Sequence, residues 1–168
     1  MSIEFAGHPG YSSVMRQSLF WLFLAAILSV GGMADAASGR VIKVLPQYLD
    51  LKGRHTLSPG LYERDAYQAH LRQHPEQRSG IRFDVQWRTS GAVWEPLQVR
   101  VELRGIAHGD LPKQLVLEEP VEPGGWLSRW VGITLSGDDY KDFGEVTAWR
   151  VSLWEGGQLL GEQKSFLW

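Results

Sequence analysis

Gly80–Arg88 reads GIRFDVQWR, and Pro96–Arg104 reads PLQVRVELR. In the first stretch Ile81, Phe83, Val85 and Trp87 alternate with Arg82, Asp84, Gln86 and Arg88; in the second Leu97, Val99, Val101 and Leu103 alternate with Gln98, Arg100, Glu102 and Arg104. Side chains of a strand point alternately to its two faces, so a period of two with one apolar set means a sheet with one dry face. Both stretches therefore belong over a common core.

Further strands extend outward from this pair. Arg40–Leu51 carries Ile42, Val44 and Pro46, and the proline places it near a sheet edge because it cannot donate to a central ladder. Lys113–Val121 and Leu127–Leu135 follow, the latter turning Val131, Ile133 and Leu135 inward, with Pro, Gly and Asp between the runs. Trp149, Val151 and Leu153 alternate before Glu155-Gly156-Gly157-Gln158, after which a strand runs from Leu159 to Trp168. Two central glycines supply the positive φ angles of a tight hairpin, so the last two strands pair antiparallel. The one helical signal sits after the first strand. Ser58-Pro59 offers an N-cap and a first-turn proline, Tyr62, Ala66, Ala69 and Leu71 follow at helical spacing, and Pro75 stops it.

About seven short strands with turns between them and no βαβ alternation predict an all-β fold. The pattern over Arg40–Trp168 resembles an immunoglobulin-like or fibronectin-III-like antiparallel β-sandwich with one short inserted helix, without the antibody-type cysteine pair. The resemblance is one of fold and carries no activity with it. Two connections fit the opening stretches. A direct hairpin would set Arg82 beside Glu102 and Asp84 beside Arg100, whereas the immunoglobulin order would send the two strands to different sheets.

The start of the chain reads as an export leader. Met15-Arg16-Gln17 precedes an apolar run from Leu19 to Val30, and Ala34 and Ala36 provide an A-x-A cleavage signal, so residues 1–36 are expected to be removed and the mature chain to begin at Ala37. Met1–Val14 carries no Lys or Arg, so Met15 competes with Met1 as the start of translation. The run is shorter than the roughly 20 residues that span a bilayer, and no later segment approaches that length, so residues 37–168 are expected to form one domain, periplasmic or extracellular, with no membrane span.

The chain has no cysteine, which removes disulfides and thiol chemistry, and its formal charge of −2 with intermixed signs leaves no basic stripe for nucleic acid. No nucleophile elbow, phosphate-cradling loop or nucleotide fingerprint appears, so no cofactor is expected and a catalyst is disfavoured. Three constellations remain. His70 and His74 share a helix face, but Leu71 stands where a zinc protease needs glutamate. Asp138, Asp139 and Asp142 form an oxygen-rich stretch without the spacing of a calcium loop, and Tyr140 among them suits a corner tyrosine tying the loop to backbone. No metal is favoured at either place.

The third constellation is tryptophan. Trp94, Trp130 and Trp154 fall on the polar side of their strands or in a loop, where flat rings can stack on a sugar or anchor a protein. A coplanar row of the three would suit a glycan, a convex cluster a protein, and burial a structural role. The reading is an exported non-catalytic interaction or structural module with a protein or glycan partner. Its alternatives are a carbohydrate-binding module using these tryptophans and, behind it, a metal-dependent enzyme.

Overall fold

A computed structural model describes residues 37–107, 110–124 and 127–168. The expected leader, residues 1–36, lies outside them. Among the described residues there are seven strands: β1 Ser38–Asp50, β2 Arg78–Ser90, β3 Leu97–Ala107, β4 Leu111–Val121, β5 Arg129–Ser136, β6 Glu145–Glu155 and β7 Gln158–Lys164. Helix α1, Leu61–Gln73, joins β1 to β2, and α2, Gly137–Phe143, joins β5 to β6. The strands make two antiparallel sheets, β1-β2-β5 and β4-β3-β6-β7. This is the expected β-sandwich. In immunoglobulin order the first, second and fifth strands face the third, sixth and seventh, and the fourth has joined the latter group rather than the former.

Both opening stretches lie where the alternation puts them, one in each sheet. Phe83, Val85 and Trp87 from β2 and Val99, Val101 and Leu103 from β3 are sealed from solvent, and Val151 and Leu153 of β6 close the layer. Each such side chain contributes about 1.5–3 kcal/mol through burial. The direct hairpin is not formed, because β2 and β3 need opposite sheets to oppose their apolar faces. Their charges find other partners: Arg82 holds Asp84 on its own strand at 2.7 Å, Arg100 holds Glu118 at 2.7 Å, and Arg150 holds Glu102 at 2.6 Å.

Helix α1 begins later than the Ser58-Pro59 signal. Thr56 and Ser58 spend their hydroxyls on a local turn, Thr56 Oγ1 donating to the Ser58 carbonyl, so Gly60 takes the N-cap position. The helix ends at Gln73, ahead of Pro75 as expected. It is docked through Leu71, which is sealed from solvent, and through polar groups. The Gln68 side chain is buried; its Oε1 accepts from Tyr48 N–H at 2.8 Å, and its Nε2 donates to the carbonyls of Tyr48 at 2.9 Å and His55 at 2.7 Å. Gln68 thus pairs with the outer edge of β1 as a neighbouring strand would. Two residues earlier on that edge stands Pro46, which has no N–H to leave unpaired.

Asp50 fixes the start of the intervening loop. Its carboxylate accepts from the N–H groups of Lys52 and Arg54, from Arg54 Nε and from the Tyr67 hydroxyl at 2.7–2.9 Å. Burial alone would raise its pKa, but the bonds from Arg54, Tyr67 and Lys52 outweigh that and hold it far below the usual carboxylate range.

Helix α2 corrects the expected oxygen-rich loop. Gly137–Phe143 winds into a short helix whose last residue, Phe143, is buried against the core, while Gly144 turns the chain into β6 at φ 83°. A Cβ at Gly144 would collide with the Ile106 carbonyl, so glycine is required there. Tyr140 packs against the core with its hydroxyl toward the Arg78 side chain rather than backbone; burial raises its pKa, and Arg78 opposes the rise.

Candidate functional site

Register places the three tryptophans at one end of the sandwich. Trp154 is the penultimate residue of β6, Trp130 the second residue of β5, and Trp94 stands in the loop that leaves β2 and enters β3 at that same end. They do not share a face. Trp130, opposite Gln86, lies on the outside of the three-stranded sheet and is 51% exposed. Trp154, opposite Gln98, lies on the outside of the four-stranded sheet, half-buried, with Arg100 4.9 Å from its ring centre and its Nε1 donating to Ser152 Oγ at 2.8 Å. Trp94 occupies the tip and is 81% exposed.

The tip loop is held from below. Glu155, the last residue of β6, is 8% exposed, and its Oε1 accepts from the N–H groups of Trp94 at 2.6 Å and Glu95 at 3.2 Å. Gly156 N–H donates to the Pro96 carbonyl at 2.9 Å, which ties the β6–β7 turn to the far side of the same loop. Val93 packs against the core beside them. The backbone is anchored on both sides of Trp94 while the indole stands in water. A large apolar ring held at a fixed position, with its loop already ordered, can insert into a partner at little entropic cost.

Other expected groups are placed apart from this tip. The His70 and His74 rings stack with centroids 4.1 Å apart; His70 Nε2 meets Gln77 Oε1 at 3.0 Å, and His74 Nδ1 meets the His70 carbonyl at 2.9 Å. Asp138, Asp139 and Asp142 are exposed on α2, and Lys141 reaches Asp138 at 3.3 Å. Among the described residues no three His, Cys, Asp or Glu side chains converge as metal ligands. Nor is any described helix long and apolar enough to cross a membrane.

One constellation was not anticipated. On the outside of the four-stranded sheet, Trp168 lies under the guanidinium groups of Arg104 at 4.0 Å and Arg150 at 5.0 Å. Arg150 in turn grips both oxygens of Glu102 at 2.6 and 2.7 Å. The Arg150 hydrogen bond outweighs burial and lowers the Glu102 pKa, and the same bond raises that of Arg150. The alternation of Arg100, Glu102 and Arg104 marked this face as polar, but the partners come from β4, β6 and beyond β7, which only strand order reveals. Phe166 and Leu167, between the anchored Ser165 and Trp168, are left exposed.

No family model, curated protein or solved structure matches this chain.

Proposed function

We propose that residues 37–168 form an exported, non-catalytic interaction module that acts in the periplasm or outside the cell and engages a protein partner through the tip bearing Trp94. The observation that carries this reading is the contrast at that tip: an indole 81% exposed on a loop whose backbone is bonded to a buried carboxylate. Exposed indoles are costly surface, and fully desolvated tryptophans dominate protein interfaces. The leader-like Met15–Ala36 segment supports export.

A photo-crosslinking residue at position 94, introduced in cells that make the protein, tests the reading. A discrete adduct from position 94, and none from an exposed position on α1 such as Tyr62, supports it; equal adducts from both positions refute it. Trp94→Ala should abolish the adducts formed from a neighbouring position while leaving the urea midpoint unchanged. N-terminal sequencing of the exported protein should begin at Ala37, and retention of Leu19–Val30 would refute cleavage.

A carbohydrate-binding role is the second reading. Trp130 favours it, because its ring is half-exposed on an open sheet face beside Gln86, which donates to Ser128. In that case retention on insoluble polysaccharide is lost in Trp130→Ala and kept in Trp94→Ala.

A further inference from the structure

Arg40 and Arg88 are direct partners across the β1–β2 ladder, and both are exposed on the outside of the sheet. Like charges directly opposite one another in a sheet repel and weaken the pair. Arg54, Arg82, Arg100 and Arg150 each hold a carboxylate within ion-pair distance. Among the described residues neither Arg40 nor Arg88 forms such an ion pair. Two arginines opposed on one face of a sheet can close their donors together on an oxyanion.

A concave surface adjoins them. The edges of β1 and β7 meet along a cleft of about 580 Å³ lined by both arginines, Ile42, Gly161, Glu162 and Gln163. A second cleft of about 220 Å³ is lined by the same two arginines with Ser38 and Ser90. The first has the size of a small-molecule site. At Gly161 the β7 backbone lies so close to β1 that a Cβ would stand 2.7 Å from the Gly39 carbonyl, so glycine is what lets the two edges close the floor.

The lining also selects chemistry. The arginines supply donors only, whereas Glu162 supplies acceptors. A simple anion answers the arginines and repels Glu162, and a flat anionic membrane does not enter a cleft. A sugar acid answers both sets, its carboxylate accepting from the arginines and its hydroxyls donating to the Glu162 carboxylate. We propose that the Arg40–Arg88 cleft is a binding site for an acidic, uronate-bearing saccharide. It is built from residues of β1, β2 and β7 other than those of the Trp94 loop, and does not depend on the interaction proposed there.

Titration calorimetry of the purified full chain with trigalacturonate, maltotriose and orthophosphate tests the site. Trigalacturonate should bind and maltotriose should not, and Arg40→Gln or Arg88→Gln should each weaken binding by about 10-fold or more. Arg88→Lys should lose part of the affinity because the charge stays and the fork is gone. Lys43→Gln, outside the cleft, should bind as the parent does. Since the two cations repel, Arg88→Gln should leave the urea midpoint unchanged or raise it. Absence of trigalacturonate binding, unchanged affinity in both Gln variants, orthophosphate bound as tightly as trigalacturonate, or a lowered midpoint in Arg88→Gln would each overturn the proposal.

Discussion

Glu155→Ala removes the carboxylate beneath the Trp94 loop and leaves two backbone N–H groups without their acceptor. A hydrogen bond to a charged group contributes about 1.5–3 kcal/mol, and the second of these, at 3.2 Å, belongs at the low end, so the pair is worth about 3–4.5 kcal/mol. That energy holds the loop rather than the sheets. Leu97 and Trp87 on either side of the loop are buried in the core. The expected result is a local opening: amide hydrogen exchange at Trp94 and Glu95 accelerates by roughly 140- to 1,600-fold, while core amides such as Val101 and Val151 change far less. Glu155→Gln keeps one neutral acceptor and should give about half the effect in free energy. Partner capture at Trp94 should fall in the alanine variant although the indole is intact, because the loop must then be ordered on binding. Unchanged exchange at residues 94 and 95 would refute the clamp. Equal acceleration at the core amides would show that Glu155 stabilises the whole sandwich instead.

Val101→Asp buries a carboxylate in a fully sealed position and should cost several kcal/mol, a large share of the roughly 5–15 kcal/mol of a typical domain, whereas Gln86→Asp should be mild; a urea titration of both checks the face assignment. Asp50 has a native pKa below its ordinary 3.8, so the stability it contributes is present above that pH and is lost as the pH falls through and below it. The urea midpoint should therefore drop between about pH 5 and pH 2, and less steeply in Asp50→Asn. Gln68→Ala strands the Tyr48 and His55 backbone groups and uncovers the β1 edge, which should cost about 1–3 kcal/mol and raise concentration-dependent self-association in sedimentation velocity.

The strands were legible because each presents one dry face, and a period of two is the direct imprint of that face. Ile81 to Trp87 and Leu97 to Leu103 point inward as the alternation requires, and the Gly156-Gly157 hairpin pairs β6 with β7. Strand order was not legible. Charge complementarity served the direct hairpin as well as the sandwich, since Arg82 can pair with Asp84 on its own strand or with Glu102 on another. What decides is the apolar face of β2, which needs a second sheet above it, and no pairwise charge rule contains that requirement. Helix α2 escaped for a related reason: seven residues with Phe143 alone buried show no helical period, so Asp138 to Asp142 read as a turn.

The tip shows where a sharper signal was available. Trp149, Val151 and Leu153 set the phase of the inward face of β6, and Glu155 continues that phase with a carboxylate. An ionised group in step with a core face, at the end of a strand, must either open the core or receive donors from a neighbouring loop. The loop nearest in the fold is the one carrying Trp94, and its N–H groups supply those donors. Read this way, the apparent break in pattern at Glu155 and the exposed indole at Trp94 are one feature, the first fixing the backbone so that the second can stand in solvent. Arg40 and Arg88 offer no comparable hint. Each is an ordinary outward residue of its own strand, and their opposition exists only once β1 and β2 are set in register, with a bulge between Val41 and Lys43 shifting the following partners by one as far as Leu49. Sites made by phase along a single strand can be read from the chain, whereas sites made by register between strands require the fold.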